Sequence, residues 1–150
     1  MKTSAVHRIA MPDDARRLYE VRRQSILELA PPRMSAAEAH AWATKLTLPG
    51  MERKLRELEI WVAELDGMVA GWGAIHGDYL EGLYVAPEFG GRGVGAELLG
   101  MLEGLLRERG VQAVRAEASS NAMDFYLRRG YGATGPQTPE GAWPIAKQLR

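Results

Sequence analysis

The spacing of apolar residues predicts a short strand followed by a helix in the first thirty residues. Residues 5–10 form a strand candidate, and Pro12-Asp13-Asp14 supplies the stop, cap and acidic residues of a helix start. Five apolar residues at helical spacing form the inner face of that helix: Ala15, Leu18, Tyr19, Ile26 and Leu29. Arg22 falls inside this stripe, and we expect its long side chain to extend to solvent. Pro31-Pro32 ends the helix.

A capping box predicts the start of a second helix. Ser35-Ala36-Ala37-Glu38 has the required hydroxyl and carboxylate, and Trp42 and Leu46 follow on the inner side. Pro49-Gly50 is expected to end this helix, and residues 51–58 form either a further short helix or an irregular turn.

The proline-punctuated helical segment before the first long strand is a candidate substrate-facing region. Trp42, Arg33 and Met34 could line a pocket there, because loops and their borders carry function more often than regular elements do. The alternative for Trp42 is a core residue at helical spacing.

From residue 59 the period changes to two, which predicts antiparallel strands. Residues 60–65 and 68–75 alternate on either side of Asp66-Gly67, a strong hairpin signal. A second turn at His76-Gly77-Asp78 leads into residues 79–85. Three consecutive antiparallel strands follow from this pattern.

The third of these strands runs into a loop that contains four glycines in six residues, namely Gly90, Gly91, Gly93 and Gly95. A helical pattern begins directly afterwards. Glycines allow close approach of the backbone to a ligand, and the first turn of a helix presents unpaired N–H groups and the positive end of its dipole. The loop is therefore predicted to bind phosphate or pyrophosphate through main-chain groups. It lacks the Lys-Ser/Thr ending of a P-loop, and residues 91–96 match the dinucleotide pattern G-x-G-x-x-[GA] only loosely.

The remainder of the chain predicts a strand–helix–strand crossover, which implies one parallel strand pair. The helix carries an apolar side, Gly100 and Gly104 are expected to let it pack closely on a sheet, and Gly110 ends it. A strand, a short helix and a final hairpin are predicted over residues 111–118, 122–129, 131–134 and 142–149. The order β-α-α-β-β-β-α-β-α-β-β is that of an α+β fold with a mixed, mostly antiparallel sheet flanked by helices. A Rossmann fold would need a crossover where the Asp66-Gly67 hairpin stands.

Composition narrows the classes of function. We expect residues 1–150 to form a single domain. Nineteen basic and nineteen acidic residues balance, so no net field recruits nucleic acid or an anionic membrane. There is no cysteine, which excludes disulfides, thiolate metal sites and a cysteine nucleophile, and three scattered histidines give no metal-ligand spacing. Residues 1–4 lead into no signal core and no run approaches a membrane span, so we expect a cytoplasmic protein.

Two segments resemble the GNAT (Gcn5-related) N-acetyltransferase superfamily. Residues 83–95, Leu-Tyr-Val-Ala-Pro-Glu-Phe-Gly-Gly-Arg-Gly-Val-Gly, are similar to its acetyl-CoA signature. Residues 118–131 resemble its strand–helix segment that ends in a Phe-Tyr and a Gly-aromatic pair. The likeness extends over essentially the whole chain and implies acetyl transfer from acetyl-CoA to a primary amine of a small molecule or peptide. A homodimer through the C-terminal strands is common in this superfamily and is possible here.

The chain departs from the family signature at one position. The signature is usually Q/R-x-x-G-x-G, and Gly90 stands in the Gln/Arg place. The backbone of the loop can still hold a pyrophosphate, with Arg92 as a substitute source of charge, so the effect of Gly90 falls on affinity. In the second segment Ser119 stands where many members have Asn, and Asn121 is the neighbouring amide.

The resemblance assigns residues to the cofactor and to the chemistry. The strand at residues 83–85 is expected to splay from the strand at residues 114–118 and to pair with pantetheine, and the N–H of Leu83 or Tyr84 would polarise the thioester carbonyl. Tyr126 is expected to protonate the departing thiolate, the alternative being a packing tyrosine under the cofactor. The residues assigned to acetyl-CoA are Leu83, Tyr84, Val85, Gly90, Gly91, Arg92, Gly93, Val94, Gly95, Ala96, Ser119, Asn121 and Tyr126.

The base that deprotonates the amine is predicted to be Glu81. It lies two residues before Leu83, hence on the same strand face if no bulge intervenes, and Tyr79 shares that face. Glu117 lies on the adjacent strand, and a solvated carboxylate is the alternative for Glu81. The absence of cysteine favours direct transfer in a ternary complex. Two other functions remain open: a non-catalytic acyl-CoA-binding or regulatory module, and a nucleotide-binding protein.

Overall fold

The strands of the chain form one seven-stranded sheet, and the helices lie between strands along the sequence. The computed structural model describes residues 5–29 and 35–150. The strands are β1 (Val6–Ile9), β2 (Glu59–Leu65), β3 (Met68–His76), β4 (Tyr79–Val85), β5 (Ala113–Ser119), β6 (Gly132–Ala133) and β7 (Ala142–Gln148). Their spatial order is β1-β2-β3-β4-β5-β7-β6. Among the described strands, only β4 and β5 are parallel neighbours, which confirms the predicted mixed sheet and its single parallel junction.

Five α-helices flank this sheet in the described part of the chain. They are α1 (Ala15–Leu29), α2 (Ala36–Ala43), α3 (Leu48–Glu57), α4 (Val94–Glu108) and α5 (Met123–Leu127). The predicted positions Pro31, Pro32, Arg33 and Met34, residues 1–4 and the side chain of Leu29 lie outside the described residues.

The segment between α2 and β2 differs from its prediction. The capping box at Ser35 is confirmed by reciprocal bonds of 3.1 Å with Glu38. However, α2 ends at Ala43, and Pro49 lies in the first turn of α3 instead of ending α2. Proline is tolerated there because the first-turn N–H groups have no partner within the helix. Leu46 is buried between the two helices and belongs to neither.

Helices cover both faces of the central strands. On one face the indole N–H of Trp72 in β3 donates to the carbonyl oxygen of Leu18 in α1, 2.9 Å away. On the other face α4 approaches so closely that a Cβ on Gly73 would lie 2.7 Å from Leu102 Cδ1. Glycine at this position of β3 therefore allows α4 to pack closely on the sheet, since a side chain there would force Leu102 to move.

The glycines predicted to mediate packing of α4 are the wrong ones. A Cβ at Gly100 or Gly104 would meet no atom within 4 Å, so neither faces the sheet. The buried side of α4 includes Leu98, Leu102 and Leu106, and it extends to Leu99 and Glu103 rather than to the two glycines. Close approach occurs instead at Gly95, where a Cβ would lie 3.2 Å from Val85 Cγ2.

Arg22 is buried, with 8 % of its surface exposed, so the expectation that it reaches solvent is wrong. Its guanidinium donates to the carbonyl oxygens of Ala43 at 3.1 Å and Trp42 at 3.3 Å, and lies 5.6 Å from the ring centroid of Tyr84. The last carbonyls of a helix lack partners within the helix, and a buried arginine can supply them. Arg22 thereby joins α1, the end of α2 and β4.

Candidate active site

The glycine loop between β4 and α4 has a backbone conformation that residues with a side chain rarely adopt. Gly91 and Gly93 have φ values of 75° and 78°, in the left-handed region that favours glycine. Gly93 is the N-cap residue of α4, and its carbonyl oxygen accepts the N–H of Glu97 at 3.0 Å. After β4 the chain passes through a 3-10 turn at Pro87–Phe89, and the two glycines then turn it into the first turn of α4.

This turn leaves a row of main-chain donors unused. The N–H of Gly90 donates to the carbonyl oxygen of Pro87 at 3.0 Å, and regular helix bonding begins at the N–H of Glu97. Between them, the six N–H groups of residues 91–96 meet no hydrogen-bond acceptor among residues 5–29 and 35–150. They also coincide with the positive end of the α4 dipole. Unpaired donors of this kind are able to bind an anion, and phosphate binding at this loop stays a prediction.

A gap opens beside this loop because β4 and β5 separate. Their parallel pairing is limited to Tyr79 with Arg115 and Leu80 with Ala116. Beyond Leu80, β4 continues to Val85 while paired only to β3, and β5 pairs on its far side with β7. The predicted splay of residues 83–85 from β5 is thus present in the fold.

The register of β3 and β4 decides which main-chain groups face this gap. The N–H of Ala86 donates to the carbonyl oxygen of Ala70 at 2.8 Å. Bonding along an antiparallel strand alternates, so Tyr84 bonds to β3, whereas Leu83 and Val85 direct their N–H and C=O groups toward β5. Of the two amides that the sequence left open as carbonyl donors, Leu83 has the available one.

A cavity of about 250 Å³ occupies the gap and brings together most of the predicted side chains. Its wall includes Leu83, Tyr84, Val85, Gly95, Ser119, Asn121, Tyr126 and Glu81. Of the remaining predicted residues, Gly90, Gly91, Arg92 and Gly93 lie in the loop and Val94 and Ala96 in the first turn of α4, all outside this wall. The Val94 side chain is 4 % exposed and belongs to the core, so only its backbone can face a ligand.

Arg92, the proposed substitute for a signature Gln or Arg, is exposed at the edge of the loop. Its guanidinium lies 3.6 Å from the carboxylate of Asp66 and 5.6 Å from the ring centroid of Phe89. Both members of the ion pair are largely in solvent, where such pairs contribute little. The guanidinium can therefore leave Asp66 at small cost.

Tyr126 lies in the wall of the cavity, and 6 % of its surface is exposed. Phe125 and Tyr131 pack edge-on against its ring with centroids 5.2 Å away. Burial, and to a smaller extent the nearby Tyr84, raises the pKa of Tyr126 above that of a free phenol. The hydroxyl is accordingly a protonated donor at neutral pH.

Glu81 does not share a strand face with Leu83 in the way that counting by two suggests. Ile75 pairs with Leu80 and Ala74 pairs with Gly82, so Glu81 is an extra residue in a β-bulge. The bulge leaves the Glu81 carboxylate exposed at the mouth of the cavity together with Glu117 of β5. Tyr79 is close enough that both carboxylates raise its pKa, after the larger effect of burial.

Gly82 is a site residue that the sequence analysis did not identify. A Cβ at this position would lie 2.8 Å from Cε2 of Tyr84, so the ring of Tyr84 lies over the Gly82 backbone. Glycine in the middle of a strand indicates a close approach of this kind, and that signal was available. Ser25, Ile26 and Phe125 also line the cavity without having been predicted.

A second cavity, of about 350 Å³, adjoins the first. The two share Trp42, Glu81, Tyr84 and Glu117. Trp42 therefore lines a pocket, as predicted, and its contact with a substrate stays a prediction. Its ring is also stacked with the Lys45 ammonium, 4.6 Å from the ring centroid.

No group of three or more His, Asp or Glu side chains in residues 5–29 and 35–150 is arranged to hold a metal ion. Over the same residues, none of the helices has the length and apolar character needed to cross a membrane.

Comparison with known proteins places this geometry in a family. The family described as "Acetyltransferase (GNAT) domain" matches residues 31–143. The uncharacterized N-acetyltransferase YafP of Escherichia coli is 28 % identical over 134 residues, which cover 88 % of this chain and 85 % of YafP. A crystal structure of a GCN5-related N-acetyltransferase from Rhodopseudomonas palustris superposes with a TM-score of 0.90 at 27 % identity, covering 99 % of this chain and 98 % of that one.

A more distant structure shares the fold. PaiA N-acetyltransferase of Thermoplasma acidophilum, solved in complex with coenzyme A, has a TM-score of 0.80 at 19 % identity and covers 97 % of this chain and 99 % of its own. Because the family match extends over most of the sequence and the glycine loop, the splayed strands and Tyr126 lie within it, the chain belongs to the GNAT family of acetyltransferases.

Proposed function

We propose that this protein is an N-acetyltransferase that moves an acetyl group from acetyl-CoA to a primary amine of a small molecule or peptide. The observation that carries the proposal is the row of six unpaired N–H groups from residue 91 to residue 96, at the mouth of a cavity between splayed strands. A pyrophosphate is the ligand that such a row suits. PaiA, which has the same fold, was solved with coenzyme A.

The residues fit the two halves of the cofactor. The 91–96 amides would hold the diphosphate, with Arg92 available to add charge. The backbone groups of Leu83 and Val85 that face the gap would pair with the amides of pantetheine as a neighbouring strand would. Acetyl-CoA supplies the activated acetyl group as a thioester.

The Leu83 N–H is the proposed oxyanion donor. It belongs to a strand held in register by β3, so it is fixed before substrate arrives. A preorganised donor of this type contributes about 2.7–4 kcal/mol to acyl transfer. Its strand neighbour Tyr84 is bonded toward β3 and packs its ring against Trp72, with centroids 5.0 Å apart, which keeps β4 in place.

Tyr126 is the proposed acid that gives its proton to the departing thiolate. Its raised pKa keeps the proton on oxygen until a strong base forms nearby. Burial in the same cavity also raises the proton affinity of the thiolate. The environment that makes Tyr126 a weaker acid therefore also makes the thiolate a stronger base.

Glu81, at the junction of the two cavities, is the proposed acceptor of the amine proton. An alkylammonium with a pKa of about 10.4 is mostly protonated at neutral pH and cannot attack until a base removes that proton. The exposed bulge gives the Glu81 carboxylate access to solvent, so it can act directly or through water. Glu117 lies across the gap as the other carboxylate in reach.

Transfer is proposed to occur directly in a ternary complex, because the chain has no cysteine to carry an acetyl-thiol intermediate. Initial rates at varied concentrations of acetyl-CoA and amine should give intersecting double-reciprocal lines. Parallel lines, the ping-pong pattern, would contradict this part of the proposal.

Tyr126→Phe is the decisive variant between an enzyme and a non-catalytic acyl-CoA-binding module. For the enzyme we expect turnover to fall about 10²–10⁴-fold with the acetyl-CoA Kd unchanged, because a general acid acts on the chemical step. Tyr19→Phe, a half-buried tyrosine on α1 outside both cavities, is the matched control. A wild-type protein that binds acetyl-CoA but releases no CoA thiol with any amine would support the binding module.

A melting-temperature panel separates CoA from nucleotides. A ligand at about one hundred times its Kd adds about 2.7 kcal/mol to stability. We expect a rise with CoA and acetyl-CoA and none with NAD or ATP; stabilisation by the latter two alone would favour a nucleotide-binding protein.

A further inference from the structure

The second cavity has walls of opposite charge. Its helical wall, built from α1, the end of α2 and α3, carries Arg22, Lys45 and Lys54. Its strand wall, built from β4, β5 and the turn before β7, carries Glu81, Glu117 and Glu140. The lining of this one cavity of about 350 Å³ therefore carries three cations from the helical segment and three carboxylates from the strands and the turn before β7.

These six charges do not neutralise one another. In the described residues, no carboxylate lies within 4.0 Å of Arg22, Lys45 or Lys54, whereas arginines elsewhere in the chain form close ion pairs, such as Arg109 with Glu59 at 2.7 Å. Arg22 is fixed by helix carbonyls, and Lys45 lies over the Trp42 ring. Opposite charges that line one cavity without pairing leave both walls able to attract a ligand that is itself dipolar.

The connection to the first cavity orients that ligand. Glu81 and Glu117 line both cavities, whereas Lys45 and Lys54 line only the second. An ammonium group drawn to Glu81 and Glu117 therefore lies at the opening toward Tyr126, where its nitrogen can be deprotonated and acetylated. The opposite end of the same molecule then reaches the helical wall, where only an anionic group is favoured.

We propose that the acceptor is a small zwitterionic amine, a molecule that carries a primary amine and a carboxylate. The inference rests on the proposed function and specifies its acceptor. Lys45 and Lys54 bind the carboxylate, and Glu81 and Glu117 receive the amine. The same arrangement disfavours polyamines, because a second ammonium would meet the cations of the helical wall.

The test compares acceptors that differ only in the carboxylate. Amino acids of increasing length, from glycine to 6-aminohexanoate, are each assayed beside their carboxamides by the release of CoA thiol. We expect kcat/KM for the best carboxylate to exceed that of its carboxamide about tenfold, the scale of one charge-assisted contact in a partly solvated site. Putrescine serves as the dicationic acceptor and should be poorer than both.

Lysine variants identify the wall responsible. In Lys54→Gln and Lys45→Gln the ratio of carboxylate to carboxamide kcat/KM should fall toward one, while the acetyl-CoA Kd stays constant. Arg56→Gln, an exposed change on the same helix outside the cavity, should leave the ratio unchanged. The same series is repeated as equilibrium binding of the amino acid to the protein saturated with CoA, a measurement that needs no turnover.

The outcomes separate the inference from the function on which it rests. Turnover with carboxamides or putrescine at rates equal to the carboxylates, or a carboxylate preference that survives both lysine variants, overturns the inference and leaves the acetyltransferase intact. Carboxylate-dependent, Lys54-dependent binding without acetylation of any amine supports the zwitterion site and overturns the proposed function. If the protein shows no binding preference for the carboxylate and no turnover with any amine, both proposals are overturned.

Discussion

Two polar regions of this molecule differ in whether their polar groups form hydrogen bonds and ion pairs with one another. Beneath α4, the Tyr131 hydroxyl donates to the Glu103 carboxylate at 2.7 Å, and the Lys147 ammonium lies 3.0 Å from its other oxygen. We call these three residues the closed cluster. By contrast, the six main-chain N–H groups before and at the start of α4 have no acceptor within the described residues, and the charged side chains that line the second cavity form no ion pair there. We call this second region the open site.

The difference shows which polar groups stabilise the fold and which are held ready for a ligand. A buried carboxylate is retained in a core only when its oxygens are satisfied, as Glu103 is. The open site keeps main-chain donors without acceptors and charges without counter-charges, at the glycine loop and in the lining of the cavities. Variants in the closed cluster should therefore alter stability, and variants in the open site should alter binding and rate.

The largest stability effect is expected from Glu103→Ala. It leaves Lys147 and the Tyr131 hydroxyl without their shared acceptor under α4, and breaking a largely buried pair by removing one member costs about 3 kcal/mol. Urea unfolding measures the loss. Glu117→Ala, in the open site, is the matched control and should change the free energy of unfolding by no more than about 0.5 kcal/mol. Equal losses in the two variants would remove the distinction between the regions.

High pH should also destabilise the protein through its buried tyrosines. Burial raises the pKa of Tyr126, and burial together with the hydrogen bond to Glu103 raises that of Tyr131. The unfolded chain releases both protons above pH ~10 while the folded chain keeps them, so this contribution is complete below pH ~10 and is lost above it. The expected slope is about 1.4 kcal/mol per pH unit for each tyrosine.

Urea unfolding between pH 9 and pH 11 tests this slope. Tyr131→Phe removes one of the two groups, so its stability should fall less steeply with pH than that of the wild type. A variant whose slope matches the wild type would show that Tyr131 does not keep its proton in the folded state.

A matched pair of glycines compares the two ends of α4. Gly91 before the helix and Gly110 after it have φ values of 75° and 83°, and a Cβ at either would meet no atom within 4 Å. Alanine at each position should cost about 1–2 kcal/mol of stability, the strain of a left-handed residue with a side chain. Only Gly91→Ala should also weaken acetyl-CoA binding, by about tenfold (~1.4 kcal/mol), because only that Cβ enters the anion site. Calorimetry with acetyl-CoA measures both variants, and equal Kd values would contradict a role for the loop.

The smallest effect is expected at Arg92. Its pair with Asp66 is exposed, so Arg92→Gln should change the free energy of unfolding by less than about 0.5 kcal/mol. If the guanidinium supplies the charge missing at Gly90, the acetyl-CoA Kd should rise a few-fold at low salt, and the difference from wild type should shrink at high salt. A difference in Kd that does not depend on salt would show that Arg92 acts through steric contact and not through its charge.

Much of the fold could be predicted because local signals agreed with one another. The Asp66-Gly67 hairpin, the Ser35 capping box and the glycines before α4 each act over a few residues, and each is present as predicted. Prediction failed where a contact between residues far apart in the sequence decided how a residue is packed. Helix carbonyls at the end of α2 hold Arg22 inside the protein, and contact with Val85 and Phe125 selects Gly95 as the packing glycine.

The sequence by itself determined the chemistry of the main chain at the loop, because left-handed glycines and a helix start are local properties of residues 90–96. It also determined which acids and bases were available. Only the tertiary structure decided that β4 leaves β5 after Leu80, that a bulge brings Glu81 to the junction of two cavities, and that α3 sets Lys54 opposite it. Strand register and the packing of distant elements fix those positions, and no stretch of the chain encodes either alone.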